Sequence, residues 1–150
     1  MSLPSQILPD HHHHCDSLFV AAEEFVGHGD WAAAAPAFEH FDRQMKAHFE
    51  AEEGLLFPAF EAATGMSTGP TEMMRYEHEQ MRVLLSQLAE ACEAHDSGTY
   101  TGVAETLLML MQQHNMKEEN ILYPMCDQAL GGDAEGLGAK MIATLKNGDV

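Results

Sequence analysis

Basic residues are scarce: seven Lys and Arg against 24 Asp and Glu leave a formal charge of −17 over 150 residues. Nucleic acid and anionic membrane surfaces are held chiefly by Lys and Arg, so this balance argues against both as partners and is compatible with cations. Cysteine is rarer still, three residues in all (Cys15, Cys92 and Cys126) with no CxxC pair. An odd, unpaired set builds no disulfide framework and is expected as reduced thiols. No apolar run approaches the roughly 20 residues of a membrane helix. The opening MSLPSQILPD has neither the basic nor the apolar region of a secretory leader. The chain is therefore expected to be soluble and cytoplasmic.

Alternating strand patterns are missing too, and what remains is helical periodicity. Gly-rich breaks fall at GHGD (Gly27–Asp30), TGMSTGPT (Thr64–Thr71), HDSGTY (His95–Tyr100) and LGGDAEG (Leu130–Gly136). They leave four segments: A, about His11 to Val26; B, about Trp31 to Ala62; C, about Glu72 to Ala94; and D, about Gly102 to Ala129. A short fifth helix is expected near Leu137 to Leu145. The expected fold is all-α: one domain over residues 1–150, an up-down antiparallel four-helix bundle with its core at about 10–130.

Histidine, by contrast, is plentiful, with ten residues. The phrases HFEAEEGLLFPAF (His48–Phe60) and HNMKEENILYPMC (His114–Cys126) share one pattern: His, three residues, Glu-Glu, two residues, Leu, an aromatic ring, Pro. They stand 66 positions apart. Inward stripes step by three and four along B (Phe38, Phe41, Met45, His48, Glu52, Leu55, Ala59), C (Met74, His78, Met81, Leu85, Leu88, Cys92) and D (Leu107, Met111, His114, Glu118, Ile121, Met125). Shifting C by 66 lays His78 on His12, Met81 on Cys15, Leu85 on Phe19 and Leu88 on Ala22, so the apolar face survives. Periodicity alone favours His11 slightly; the repeat selects His12 from the run His11–His14.

His and Glu four apart on a helix project from one face about 5.4 Å apart along the axis, close enough to share an ion or bridge two. The candidate ligands are His12, His48, Glu52, His78, His114 and Glu118. Six mixed N/O ligands are too many for one tetrahedral zinc, and imidazole with carboxylate suits iron or manganese. Symmetry suggests two His for each metal, with Glu52 and Glu118 bridging and positions left for water, an oxo or hydroxo bridge, or a diatomic gas.

The segments DHHHHCDSLF, HFEAEEGLLFP, YEHEQM and HNMKEENILYP resemble the hemerythrin-like family, the HHE cation-binding domain, over about residues 10 to 130. The resemblance implies an up-down four-helix bundle around a non-haem di-iron centre, with a His of segment A, His48, Glu52, His78, His114 and an acid of segment D as ligands. Oxygen-carrying members place two His four apart on the third helix, where this chain has Met74 and Arg82 on either side of His78. They also use His-x4-Asp on the fourth, where Glu118 and Glu119 stand at four and five. The ligand set is closer to that of the repair-of-iron-centres proteins, although this chain has no room for their extra Cys-containing domain.

The implied function is a two-iron protein that binds or senses O2 or NO. The alternatives are a di-iron redox enzyme or iron donor in nitrosative and oxidative stress and iron–sulfur repair, or a structural zinc or manganese bundle. Plainer roles are expected elsewhere. Glu53 and Glu119 fit a solvated helix face, Glu119 standing also as the alternative to Glu118. His28 and His95 belong to turns, His40 to the helix surface, and His14 is at most an adventitious metal contact. Phe57 and Tyr123 are expected to pack against neighbouring helices, a wall of the metal pocket being the alternative, and Cys15 and Cys126 to be inert buried thiols.

Overall fold

A computed structural model describes residues 2–149. Among them only helices and turns occur, and the chain is an all-α four-helix bundle with a C-terminal extension. Helix α1 runs Pro4–Gly27 and α2 Trp31–Ala51. A π-helical turn, Glu52–Leu56, joins α2 to α3 (Phe57–Thr64). The second hairpin repeats this plan with α4 (Pro70–Glu93), α5 (Ser97–Lys117), a π-turn at Glu118–Leu122, and α6 (Tyr123–Leu130). Helix α7 (Ala134–Lys146) and a final turn, Asn147–Asp149, complete the chain.

Capping sets these limits. Asp30 and Asp96, also 66 apart, accept the backbone N–H of Ala33 and Thr99 at 3.1 Å each, satisfying first-turn donors that have no partner inside the helix. Segment D was expected from Gly102. It begins at Ser97 because Asp96 turns the Ser-Gly-Thr run into a helix start, and the bend narrows to His95 in a left-handed conformation (φ 53°). Segment A likewise begins earlier than expected. Pro4 stands at the first helical position, where its fixed φ suits a helix start, and Gln6 turns its side chain back to the Leu3 N–H.

The stripes on α1 and α4 are buried as their periodicity requires. On the second helix of each hairpin the stripe slips after the glutamate. Leu55, Ala59 and Met125 are only part-buried, and Ile121, expected inside, is 57% exposed. Leu56, Phe57 and Phe60, and then Leu122, Tyr123 and Cys126, are buried instead. The π-turns cause the slip: the N–H of Phe57 donates to the Glu52 carbonyl, and that of Tyr123 to the Glu118 carbonyl, one residue further back than in an α-helix. One extra residue rotates everything downstream by about 100°. Pro58 and Pro124 follow at once; lacking an N–H, each interrupts the α ladder where the turn widens.

Helices α1 and α2 pack along each other, as do α4 and α5, and the two hairpins close through α1 on α5 and α2 on α4. Two apolar clusters result. One surrounds Phe19, Phe41, Leu85, Leu88 and Leu107; the other surrounds Leu8, Leu56, Phe57, Tyr123 and Met141. On every helix the candidate ligand falls between them, as His12 does between Leu8 and Cys15. The fifth helix is present and longer than expected. Its Gly138 lies so close to the Ser2 carbonyl that a Cβ there would come within 1.5 Å of the oxygen, so only glycine lets α7 cross the start of α1.

Candidate metal centre

The structure brings all six predicted residues into one buried layer. His12 comes from α1, His48 from α2, His78 from α4 and His114 from α5, while Glu52 and Glu118 are the first residues of the two π-turns. All are buried, the two glutamates and His78 with no exposed surface. Each imidazole turns Nε2 towards the carboxylates. His78 lies 3.0 Å and His48 3.5 Å from Glu52 Oε1, and His114 lies 3.1 Å and His12 3.2 Å from Glu118 Oε1. Ligand atoms within 4.8 Å of one another form two overlapping groups: Glu52, His78, His114 and Glu118, and His12, His48 and Glu118.

The outer nitrogens are as organised as the inner ones. Nδ1 of His78 meets Glu53 Oε2 at 2.6 Å, and Nδ1 of His12 meets Glu119 Oε2 at 2.7 Å. Nδ1 of His114 meets Glu77 Oε1 at 2.8 Å, and Nδ1 of His48 meets Nδ1 of His11 at 2.8 Å. The expectation that Glu53 and Glu119 are solvated is thus corrected: each reaches across to the opposite hairpin and grips the buried histidine there. Glu119 stands behind His12, and Glu118 is the acid inside. The repeat held the clue, since Glu53 and Glu119, like His11 and Glu77, are 66 apart. Carboxylates behind metal-bound histidines fix the ring and its tautomer and make the facing nitrogen more basic.

Two differences break the symmetry, both beside His12 and His48. His11 stands where the other hairpin has Glu77, and Tyr123 where the first has Phe57. For Tyr123, packing against a neighbouring helix was the simpler expectation and a wall of the metal pocket the alternative. The Tyr123 hydroxyl lies 2.7 Å from Glu52 Oε2 and 2.9 Å from Glu118 Oε1, donating to one at a time, and 3.2 Å from His12 Nε2. Around His78 the walls are apolar, with Phe49 and Phe57 stacked at ring distances of 4.3 and 5.7 Å. Phe57 packs as expected. The single oxygen that distinguishes Tyr from Phe in the repeated phrase was the available signal.

Charge is concentrated in this layer. Burial pushes the His114 pKa down, but the charge of Glu118 and the hydrogen bond to Glu77 outweigh it and raise the pKa to about 10. His12 and His78 are raised against the same burial by Glu118 and Glu52 respectively. Burial dominates at His48, lowering it to about 4. The Glu52 carboxyl is held well below the usual range although burial opposes this, because His48 and His78 favour its charged form. Burial, then the charges of Glu118 and Glu52, raises Tyr123, so its phenol stays a donor. Cys15 and Cys126 are buried and raised, first by burial, and Cys126 reaches about 12; both are unreactive thiols as expected.

Glu52 Oε1, Glu118 Oε2 and the Nε2 atoms of His78 and His114 are buried without a hydrogen-bond partner. Each such atom costs about 1–3 kcal/mol unless something pairs with it. Carboxylate oxygens and imidazole nitrogens converging on one space form a mixed donor set that fits a metal. Against the ligands lies an enclosed cavity of about 10 Å³, lined by His12, His48, His114, Asn115 and the apolar Cys15, Met45, Phe49, Met81 and Met111.

No helix among the described residues is long and apolar enough to cross a membrane. No curated protein and no solved structure matches the chain. The family model described as Hemerythrin HHE cation binding domain matches residues 3–126, a span that carries every histidine and glutamate of the buried layer. With that match, the four-helix bundle and the His/Glu metal site at its centre, the chain belongs to the hemerythrin HHE cation-binding family.

Proposed function

We propose that the chain is a non-haem di-iron protein that binds or senses O2 or NO. His12 and His48 would hold one ion and His78 and His114 the other, with Glu52 and Glu118 spanning the pair. Ferrous iron in this site would supply electron density to a diatomic ligand. The observation that carries the reading is the cavity of about 10 Å³ against the ligands. That is about the space of one water-sized molecule, too small for an organic substrate.

The residues divide the remaining work. Met45, Met81, Met111 and Phe49 keep bulk water from the ligand side. Glu53, Glu77, Glu119 and His11 hold the four rings in place. Tyr123 keeps a proton between Glu52 and Glu118. Cytoplasmic residence fits the three unpaired cysteines, all buried and free.

Metal content per chain after anaerobic purification, with optical spectra before and after O2 or NO, tests the proposal. Two irons, near-ultraviolet charge-transfer bands and a gas adduct that reverses on removing the gas are the expected result. Consumption of NO or peroxide in excess of iron would instead identify a redox enzyme of stress defence. Zinc or manganese in the same ligands would leave the fold and overturn the function.

A further inference from the structure

A second group of metal-ligating side chains stands on the surface. His14 of α1, His40 of α2 and Asp149 of the final turn each offer a ligand atom, all within 4.8 Å of one another. The two imidazole rings lie 6.1 Å apart and nearly edge-on, at 73°. Asp149 is placed by the fold. Gln44 Nε2 donates to its Oδ1 at 2.6 Å, leaving Oδ2 for a further partner. Gly148 allows this approach, since a Cβ there would meet Gln44 Nε2 at 3.0 Å and the Ala47 Cβ at 3.2 Å.

We propose that His14, His40 and Asp149 form a second, surface site for a divalent transition-metal cation of the zinc class, separate from the buried centre. Two imidazoles and one carboxylate, with water in the fourth position, make an open tetrahedral zinc set. Calcium and magnesium prefer oxygen ligands throughout and are poorly served by it. The charge of −17 raises the local concentration of any cation. An ion here ties the end of the chain to the α1–α2 hairpin. It also steadies the inner layer: Gln44 Oε1 lies 2.8 Å from His11 Nε2, and His11 Nδ1 lies 2.8 Å from Nδ1 of His48. The turn that carries Asp149 thereby braces the residues behind a buried ligand.

The test titrates zinc, and cobalt as its spectroscopic stand-in, into the full chain with the buried centre already loaded. Metal analysis and calorimetry follow binding. The expected result is one additional zinc per chain at low micromolar concentration, with four-coordinate cobalt bands in the visible. Losing a direct ligand should cost at least as much as the 10- to 100-fold typical of partners behind the ligands. His40→Ala and Asp149→Asn should therefore each weaken this zinc at least ~100-fold, with helicity and the metal content of the buried centre unchanged. His13→Ala, on the same run but outside the group, should leave it intact. No additional zinc, or zinc retained by His40→Ala, would overturn the proposal. Because the buried metal is counted separately, either outcome leaves the di-iron reading where it stands.

Discussion

Each histidine of the buried layer faces a carboxylate with Nε2 and a second side chain with Nδ1. The outer contact costs a side chain that faces solvent in part, and it returns orientation. Glu53→Ala should leave the bundle folded while weakening metal binding at the His78 half by roughly 10- to 100-fold, and Glu53→Gln, which still accepts from Nδ1, should recover part of it. Competition with a chelator of known affinity measures this; equal affinity in Glu53→Ala would show that the contact orients nothing.

Protonation belongs to the same scale. In the metal-free protein the His114 pKa is raised to about 10, above its ordinary 6.5. The stability this contributes is fully present below 6.5 and is lost as pH rises through about 10. A metal needs the neutral nitrogen, so uptake at pH 7 should release protons, and apparent affinity should climb with pH across that window. A pH indicator in weak buffer detects the release. Uptake without proton release would contradict the charge assignment.

At the scale of elements, the π-turns decide which faces of α3 and α6 enter the core. They place Glu52 and Glu118 at the first position of the widened turn and bring Phe57 and Tyr123 around to meet the ligands. Deleting Gly54, an exposed residue of the first turn, should restore a continuous α-helix. Phe57 and Phe60 would then stand four and seven positions after Glu52, the ordinary α spacing, and would keep facing the lower core. Burying such side chains is worth about 1.5–3 kcal/mol each and that burial is kept, so the deletion should preserve helix content and change the melting temperature little. A sharply lowered melting temperature would mean that the lower core depends on the widened turn itself. The stripes of α1 and α4, and those of α2 and α5 up to their π-turns, follow ordinary 3–4 spacing and need no such correction.

On the scale of the molecule, a charged layer separates two apolar clusters, and the chain as a whole carries −17. Without a metal, the layer holds buried atoms that nothing pairs. Removing the ions should therefore destabilise the whole bundle and not one hairpin, because each half-site draws on helices from both. Metal that binds only the folded state stabilises by about 4 kcal/mol at a thousand times its dissociation constant. Melting curves with and without chelator should differ by a shift of that order, and added salt should narrow the gap by screening the acidic surface. A chelated protein with an unchanged melting curve would show that the layer is stable without an ion.

Local periodicity and a repeat by themselves determined much of this protein. The spacing of Phe38, Phe41, Met45 and His48, or of Met74, His78 and Met81, reports a helix face because the α-helix has one fixed period. The 66-residue offset located His12 and predicted six residues in one layer, since a duplicated hairpin repeats its inward positions. Tertiary structure decided what depends on neighbours distant in sequence. The slip after Glu52 and Glu118 is a matter of one hydrogen bond, invisible to a pattern that assumes an unbroken period. The grip of Glu53 on His78 and of Glu119 on His12 crosses between hairpins, where no spacing rule reaches. Asp149 meets His14 and His40 only because α7 folds back across α1 and α2, a contact set by packing and not by any property of the segment that carries it.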